Sequence, residues 1–510
     1  MRHSHDPRQL ELFDIFESQM STIAYERLTK SFHAVFRHII LHLMPIPEIG
    51  ENFHPILGRP TKELYSMAGL VLLKEFHNWT TADATDAYLF DIRIHYALNL
   101  STGHVTFCER TLQRYQKLLD EDDIVRKIFD DVTQHLINEL EIKIDQQRLD
   151  STHVFSDMAK FGRTKLMGTT ITKFLTQLKR HHKELYENLP EAIRSRYSKK
   201  IDVLFAEFKN DQKRRSLLRQ EVAEEMYELI KTFDGNEAIE NMTSFKTLLT
   251  VFDQQCELNS DVLVSVSPQN KDDDSSDKHD ISNGDESTTE LVVTESNDSK
   301  PEKEEPSAVT IKKSPGGDVI QNPSDLDATY DGHKGQGYQI QLTETCNPEN
   351  DVQLIISAIP QTAVDSDANA IELVLDELRK KQFLPIELLA DTLYGSDENS
   401  ELAKQDSVSL ISPVSGKQPV KPPKIITKKI KRLRLRREQQ QTPEWRSKYN
   451  VRAQEEGTIG CIKRKTGMVR LRYRGARRMF SSMIFKIVGC NISRAHRSVK
   501  IQQKIAHIIS

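Results

Sequence analysis

A short stretch near the C-terminal end of the chain, YNVRAQEEGTIGCIK at residues 449–463, contains a tyrosine, an arginine, two adjacent glutamates and a lysine. On a continuous helix, at about 100° per residue, four of its side chains fall within an arc of about 60°: Tyr449, Arg452, Glu456 and Lys463. Glu455 lies outside that arc. One carboxylate would therefore share a face with three groups that can bind DNA, although periodicity alone equally fits a solvated helix face.

Two aspartates follow predicted strands. LEIKIDQQRLDST, residues 140–152, predicts a strand with Asp150 at its C-terminal end, and PIELLADTLYGSDEN predicts a short strand that ends in Asp391. Carboxylates in such positions of α/β folds face the functional edge of the sheet. Together with a helical glutamate they would supply three oxygen ligands, which suit Mg²⁺ or Mn²⁺. In isolation, Asp150 would more often be a helix cap and Asp391 a turn former.

The charged residues are segregated along the chain, which the net charge of −4 conceals. Residues 271–305 hold thirteen Asp or Glu against four Lys, whereas residues 421–440 hold nine Lys or Arg and one Glu. Residues 463–478 hold eight Lys or Arg and no acid. This pattern predicts a basic surface that binds an anion, most commonly nucleic acid, together with an acidic tether.

The order of elements predicts an α/β core with a helical region before it and another inserted into it. Residues 1–140 are predicted to be mostly helical, and one helix there, which we expect to begin between Thr106 and Glu109, has a polar face that could enter a DNA groove or simply be solvated. That face consists of Arg110, Gln113, Arg114 and Lys117. Helical periods return in residues 165–255. Residues 257–329 contain no Phe, Trp or Tyr, and we expect them to be disordered.

Other features exclude whole classes of protein. No run of about 18 apolar residues predicts a transmembrane helix, and the N-terminus lacks the apolar core of a secretory signal. The five cysteines are scattered without a CxxC pair or a zinc-ligand spacing, which favours reduced thiols in a cytoplasm.

The spacing Y-x₂-R-x₃-E-x₆-K, carried by Tyr449, Arg452, Glu456 and Lys463, resembles the signature around the last acid of bacterial insertion-sequence DDE transposases. Other segments resemble further blocks of that family in the right order: LDSTHV, ATYDGHKGQGYQIQ, LLADTLYGSDEN, LISPVSGK and VRLRYRG. GRPTKELYSMAGLVLLKEF and ERTLQRYQKLL resemble the helical domain that precedes the core in these enzymes. The resemblance covers residues near 10–160 and 325–500.

The resemblance implies an RNase H-like catalytic core, a mixed sheet with flanking helices, in which Asp150, Asp391 and Glu456 bind two Mg²⁺ or Mn²⁺ ions. It implies hydrolysis at the transposon end, followed by attack of the freed 3′-hydroxyl on target DNA. The DNA-binding residues would be Tyr449, Arg452 and Lys463, with Arg110, Gln113 and Arg114 on the N-terminal helices. The partners would be double-stranded DNA, as terminal repeats and target, and further copies of the chain in a homo-oligomeric DNA complex. No membrane is expected, and the location would be the bacterial cytoplasm, in association with the nucleoid.

The expected domains are a helical N-terminal DNA-binding domain (1–138), the first part of the core (139–164), a helical insertion (165–256), a disordered acidic linker (257–325) and the remainder of the core with its basic segments (326–500). Two alternatives remain open from the sequence. One is an RNase H-like nuclease that only cuts, and the other is a transposase descendant that binds DNA without catalysis.

Overall fold

A computed structural model of the chain describes residues 1–9, 14–100, 107–120, 122–158, 161–199, 212–259, 308–416 and 427–509. The chain forms two compact units. The first comprises Met1–Lys160 and Ile320–Ser510, and the second is Phe161–Val319. None of the helices described is both long and apolar enough to span a membrane.

The sheet of the first unit is built around its earliest strand. Its strands are β1 (Gln146–Ser156), β4 (Thr329–Asp331), β5 (Gly335–Thr345), β6 (Ile355–Thr362), β7 (Glu387–Ala390), β8 (Ser409–Ile411) and β9 (Arg470–Leu471), and two further strands, β2 (Cys256–Leu258) and β3 (Val309–Ile311), pair with each other in the second unit. Strand β1 pairs antiparallel with β5 and parallel with β7. Beyond them, β6 pairs antiparallel with β5, and β8 pairs parallel with β7. The main order is therefore β6-β5-β1-β7-β8.

The helices of the first unit fall into two groups along the chain. Those before the sheet are α1 (Ile15–Gln19), α2 (Thr22–Thr29), α3 (Phe32–Val35), α4 (Ile46–Gly50), α5 (Leu64–Phe76), α6 (Thr81–Phe90), α7 (Ile92–Ala97), α8 (Glu109–Leu119) and α9 (Asp122–Leu140). These helices cover most of the described residues before β1, as the sequence predicts for residues 1–140. The predicted start of α8 at Thr106 lies outside the described residues, and Cys108 precedes the first turn.

The helices of the second unit are α10 (Arg163–His181), α11 (Lys183–Glu187), α12 (Glu191–Ser198), α13 (Gln212–Phe233), α14 (Glu237–Glu240) and α15 (Thr243–Gln255). The predicted apolar positions Phe174, Leu178, Val222 and Met226 are all buried. The two longest helices of the unit, α10 and α13, therefore pack through the faces that the helical period indicates.

The remaining helices belong to the first unit: α16 (Ala370–Lys380), α17 (Asp397–Gln405), α18 (Lys428–Gln439), α19 (Pro443–Asn450), α20 (Gln454–Thr466), α21 (Ala476–Ala495) and α22 (Val499–Ile509). Helix α21 is the centre of this group, since its apolar residues from Met479 to Ile492 share one core with the N-terminal helices and the sheet. Hydrogen bonds also join the N-terminal helices to the C-terminal segment. Glu75 on α5 accepts hydrogen bonds from Ser482 Oγ at 2.5 Å and from the Tyr473 hydroxyl.

Two predictions about the elements need correction. Asp150 is the fifth residue of the eleven-residue strand β1 and does not end it, because the strand continues to pair with β5 as far as Val154. Part of the segment predicted to be disordered is ordered: residues 309–311 form β3, and Ile320 and Asp325 are buried. Asp325 accepts hydrogen bonds from the Tyr338 hydroxyl at 2.6 Å and from the Gly475 amide at 3.0 Å. Residues 260–307 of that segment lie outside the described part of the chain.

Candidate active site

The two predicted aspartates lie next to each other, at the point where the parallel pairing of β1 with β7 ends. The parallel pairing of β1 with β7 ends at the pair Leu149–Ala390, and Asp150 and Asp391 are the next residues of their chains. Asp391 caps a 3₁₀ turn, Thr392–Tyr394, and its Oδ1 accepts a hydrogen bond from the Leu393 amide at 2.8 Å. Burial, and then the negative charge of Asp391, raise the pKa of Asp150. Repulsion of this kind marks a place where a cation would be stabilised.

The cation that Asp150 contacts in the structure is Arg452. Arg452 Nη2 donates to Asp150 Oδ2 at 2.9 Å, and the two side chains are 15% and 16% exposed. Burial would lower the pKa of Arg452, but the charge of Asp150 and smaller contributions from Tyr449, Asp391 and Glu455 together outweigh it, and the pKa is raised. The ion pair joins the central strand to the C-terminal segment in which the sequence spacing was found.

Tyr449 lies beside this ion pair and is packed from the other side. Its ring stacks on Trp445 with a centroid distance of 4.9 Å and an interplanar angle of 17°. Both rings pack against a small apolar cluster that includes Leu389 and Ile411. Burial raises the pKa of Tyr449, and the charge of Arg452 opposes that shift. The stacking accounts for Trp445 as a packing residue in this structure.

The helix predicted over residues 449–463 is broken, and the break changes which glutamate faces the sheet. Helix α19 ends at Asn450, a 3₁₀ turn occupies Val451–Ala453, and α20 begins at Gln454. A 3₁₀ turn has about three residues per turn, so it shifts the phase of every later position relative to a continuous α-helix. As a result Glu455 is buried at 1% exposure and Glu456 is exposed. The helical phase that singles out Glu456 in the sequence therefore applies to a continuous helix that the structure does not have.

Glu455 is an unusual carboxylate in this fold. Both of its oxygens are buried without a hydrogen-bond partner. Its pKa is raised well above the ordinary value, first by burial and then by the negative charges of Glu344 and Asp150, with Arg148 and Arg452 opposing the shift. A buried carboxylate without partners costs free energy unless a cation or a proton compensates it.

A buried ionic network, which the sequence did not reveal, fixes α20 against the sheet. Arg148 lies opposite Glu344 in the β1–β5 register and donates from Nε to Glu344 Oε2 at 2.6 Å. Its Nη1 also donates to the Val451 carbonyl and to Gln454 Oε1, both at 3.2 Å. Glu344 further accepts from Thr458 Oγ1 at 3.0 Å. One arginine thus connects two strands to the turn that carries Arg452.

A second polar group, also missed from the sequence, lies near Asp150. Gln341 on β5 donates to Asp367 Oδ1 at 2.9 Å and accepts from the Tyr394 hydroxyl at 2.5 Å. Asp367 is buried, and its negative charge is among the causes that raise the pKa of Asp150. The signal in the sequence was the run of polar residues Gln339, Gln341 and Thr343 within a strand that is buried along almost its whole length.

Residues 420–496 match the family model described as Transposase DDE domain. This match supports a DDE transposase, a DNA-processing enzyme. The matched region contains the Arg452 turn and both glutamates, whereas Asp150 and Asp391 lie outside it. No curated protein and no solved structure gives a significant match to the chain.

Lys463, the last residue of the predicted signature, lies within the DDE match on the third turn of α20. Burial lowers the pKa of Lys463, and burial, with smaller contributions from the charges of Lys334 and Lys463, lowers the pKa of His153 on β1. Helix α20, which carries Lys463, packs against the central strand β1. The predicted DNA-binding residues of the N-terminal helices, Arg110, Gln113 and Arg114, are all exposed on α8.

The basic run that opens the matched DDE region has a paired face and an outward one. On helix α18, Arg432 Nη2 donates to Asp397 Oδ2 at 2.5 Å, and Arg436 Nη1 donates to the Ser396 carbonyl at 3.0 Å. Lys428, Lys431 and Arg434 are exposed on the same helix. Only part of this run is thus positioned to neutralise phosphates, and residues 421–426 lie outside the described chain.

The carboxylate oxygens of the site are the kind of ligand that a divalent ion prefers. The described residues nevertheless contain no cluster of three His, Cys, Asp or Glu side chains already arranged around a metal position. Two adjacent aspartates and a buried glutamate with two unpartnered oxygens are hard oxygen ligands, and of these three Asp150 is paired with Arg452. These are the groups that a divalent cation would stabilise.

Proposed function

We propose that the protein is a DDE transposase that cuts DNA at transposon ends and joins the ends to target DNA. The observation that carries the proposal is the pair Asp150–Asp391, at the edge of two parallel strands, joined through Arg452 to the segment that matches a transposase DDE domain. The strand pattern already suggests that the two aspartates belong to one site, and the resemblance places Arg452 beside them. Their proximity in the fold supports that assignment independently, because residues 150, 391 and 452 are far apart in the chain.

We further propose that the core is RNase H-like. The order β6-β5-β1-β7-β8, with the first strand central, β5 antiparallel and β7 and β8 parallel to it, supports this assignment. In this sheet β7 ends beside the middle of β1, so Asp391 follows the last paired residue next to Asp150, and carboxylates in these positions can converge on a metal.

The proposed metal ligands are Asp150, Asp391 and a glutamate of α20, with two Mg²⁺ or Mn²⁺ ions as cofactors. When bound, such ions activate a water or a 3′-hydroxyl and stabilise the leaving oxygen of a phosphodiester. The resemblance assigns the third position to Glu456, and the burial of Glu455 beside Asp150 favours Glu455. The pairing of β1 with β7 places the two aspartates next to each other, and the Arg148–Glu344 pair holds α20 in place.

The proposed DNA grip consists of Tyr449, Arg452 and Lys463 beside the acids, with Arg110, Gln113 and Arg114 on α8 for the terminal repeats. A guanidinium can bind a phosphate in two-pronged geometry, so Arg452 can exchange its carboxylate partner for DNA. We expect the active species to be a homo-oligomer on double-stranded DNA.

The test combines the purified protein with Mg²⁺, a supercoiled target plasmid and labelled duplexes taken from the DNA that flanks the coding sequence on either side. Strand-transfer products are expected. Nicking without joining would instead indicate a nuclease, and binding without cleavage a non-catalytic descendant. Asp150→Asn and Asp391→Asn should abolish both steps while leaving DNA binding intact.

The same assay assigns the third acid. Glu455→Gln and Glu456→Gln differ in one position along the helix and remove the same charge. If Glu455 is the ligand, only Glu455→Gln loses cleavage. Loss in Glu456→Gln alone would favour the position named by the resemblance and would mean that α20 rotates when DNA binds.

A further inference from the structure

A basic cleft on the N-terminal helices lies outside the DDE match and outside the acidic site. It has a volume of about 960 Å³ and is formed between the segment before α5 and the exposed side of α8. Its thirteen described lining residues include four cations and no carboxylate: Arg59, Lys62, Arg114 and Lys117. A concave surface with charge of one sign concentrates the field on the opposite charge.

The two walls of the cleft differ in geometry. Residues 59–62 form an irregular wall in which Pro60 stiffens the chain, and Tyr115 lies next to Thr61 and the Lys62 backbone in this wall. The opposite wall is a regular helix that presents Arg114 and Lys117 one turn apart. Tyr115 is itself packed at 5% exposure, with its ring 5.7 Å from that of Phe53. The floor is therefore fixed, and the cations stand on its two rims.

We propose that this cleft binds the backbone of double-stranded DNA, with Arg59 and Lys62 on phosphates of one strand while the exposed face of α8 lies along the adjacent groove. The proposal rests on the proposed function for its choice of polyanion, and it adds a surface opposite α8 that the sequence did not indicate. Phosphate contacts set register and affinity without reading bases, and only side chains that enter the groove read sequence. The roles thus divide between Arg59 and Lys62 for affinity and Gln113 and Arg114 for discrimination.

Cys108 provides a probe of the cleft. It lines the cleft, and among the chain's five cysteines it is the exposed one, since Cys256, Cys346 and Cys490 are buried and Cys461 is half-buried. Hydrogen bonds from Thr111 lower the pKa of its thiol, which favours alkylation. The rate of iodoacetamide modification at Cys108, followed by mass spectrometry, therefore reports whether the cleft is covered.

The experiment uses the full chain in EDTA, so that no cleavage occurs, with a 40-base-pair duplex of random sequence and the two flanking-DNA duplexes as probes. DNA should slow alkylation of Cys108 severalfold. The double variant Arg59→Ala with Lys62→Ala should weaken binding of all three duplexes about equally and reduce the slope of log K against log salt by roughly 0.9 for each phosphate that the variant no longer neutralises. The matched control, Arg27→Ala with Lys30→Ala, removes the same charge from exposed positions on the same helical region and should change neither slope nor protection beyond a small uniform effect.

The outcomes separate the inference from the proposed function. If DNA binds with unchanged alkylation of Cys108, and the cleft variant binds as tightly as the control variant, the cleft is not the DNA surface even when strand transfer occurs. If the cleft is protected but no DNA is cut or joined in Mg²⁺, the surface assignment stands and the transposase assignment fails.

Discussion

The guanidinium of Arg452 and the carboxylate of Asp150 form a largely buried ion pair, with Nη2 and Oδ2 2.9 Å apart. The pair puts a positive charge against one of the two acids proposed to bind metal. Arg452 and a divalent ion therefore compete for the same carboxylate. The charge of Arg452 also repels the ion, and solvent screens this repulsion only weakly because the pair is largely buried.

Arg452→Gln should consequently bind Mn²⁺ about tenfold more tightly, which corresponds to about 1.4 kcal/mol, because the competing charge is gone. Its DNA cleavage should fall by at least a similar factor. Mn²⁺ titration followed by electron paramagnetic resonance measures the first effect. Arg446→Gln, an exposed arginine on α19, is the control and should change neither. Weaker metal binding in Arg452→Gln would show that the arginine supports the acids and does not compete with them.

Glu455 predicts a second measurable effect, in the absence of metal. Its buried carboxylate has no hydrogen-bond partner and faces the charges of Glu344 and Asp150. Glu455→Gln removes the repulsion, so in EDTA at neutral pH it should stabilise the protein by about 1–3 kcal/mol. Glu456→Gln, which changes an exposed side chain, should leave Tm within error of the wild type. Added Mn²⁺ should raise the Tm of the wild type more than that of Glu455→Gln. An equal response of both proteins to Mn²⁺ would remove Glu455 from the metal site.

The sequence was sufficient for the parts of the site that depend on local pattern. Asp391 was predicted to follow a short apolar strand, and it does so, because a strand of four residues buried by Leu388 and Leu389 is specified by its own composition. Asp150 was predicted in the right strand but at its end, since the pairing with β5 that prolongs β1 involves residues almost two hundred positions away.

The orientation of the glutamates could not be read from the sequence for a different reason. A helical phase is meaningful only if the helix is continuous, and the 3₁₀ turn at Val451–Ala453 is fixed by tertiary bonds from Arg148. Gly457 and Gly460, where helix propensity is lowest, lie inside an intact helix. Tertiary contacts therefore decided the one feature on which the choice between Glu455 and Glu456 depended.

Arg148 should act as a positioning residue for α20. Arg148→Met removes one of the two arginines that pair with the buried Glu344, the other being Arg494 with its Nη1 at 2.5 Å, and we expect a loss of about 1.5–3 kcal/mol in the free energy of unfolding. Arg148→Lys keeps the charge but loses the hydrogen bonds from Nη1 to the Val451 carbonyl and to Gln454 Oε1. Urea unfolding should show a smaller loss for lysine than for methionine.

A structural role alone would leave the metal affinity of folded Arg148→Lys unchanged. We expect it to fall, because the turn that sets Arg452 and Glu455 loses its anchor. Mn²⁺ titration at a urea concentration well below the unfolding midpoint tests this point. Wild-type affinity in the lysine variant would confine Arg148 to stability.

Glu75 should stabilise the packing of the N-terminal helix α5 against α21. Besides Ser482 and Tyr473, its carboxylate accepts from Lys74 Nζ at 2.9 Å, and Lys486 donates to its carbonyl at 2.7 Å. Burial raises the pKa of Glu75, but the charges of Lys74 and Lys486 and the hydrogen bonds from Ser482 and Tyr473 together outweigh it, and the pKa is lowered. Glu75→Gln leaves those lysines buried without a counter-charge and should cost about 3–5 kcal/mol at neutral pH.

The pH dependence of that loss follows from the sign of the shift. A carboxyl whose folded-state pKa is below its ordinary value of 4.5 contributes stability above pH 4.5 and loses it as the pH falls through the folded-state value. The difference in unfolding free energy between wild type and Glu75→Gln should therefore be largest near pH 7 and shrink progressively below pH 4.5. Glu51→Gln, at an exposed position, should show no such difference. Limited proteolysis at pH 7 should cut Glu75→Gln faster between the N-terminal helices and β1, because the bonds that hold α5 to α21 are weakened. A stability gap that stays constant from pH 7 to pH 3 would mean that the ionised carboxylate is not what holds these helices together.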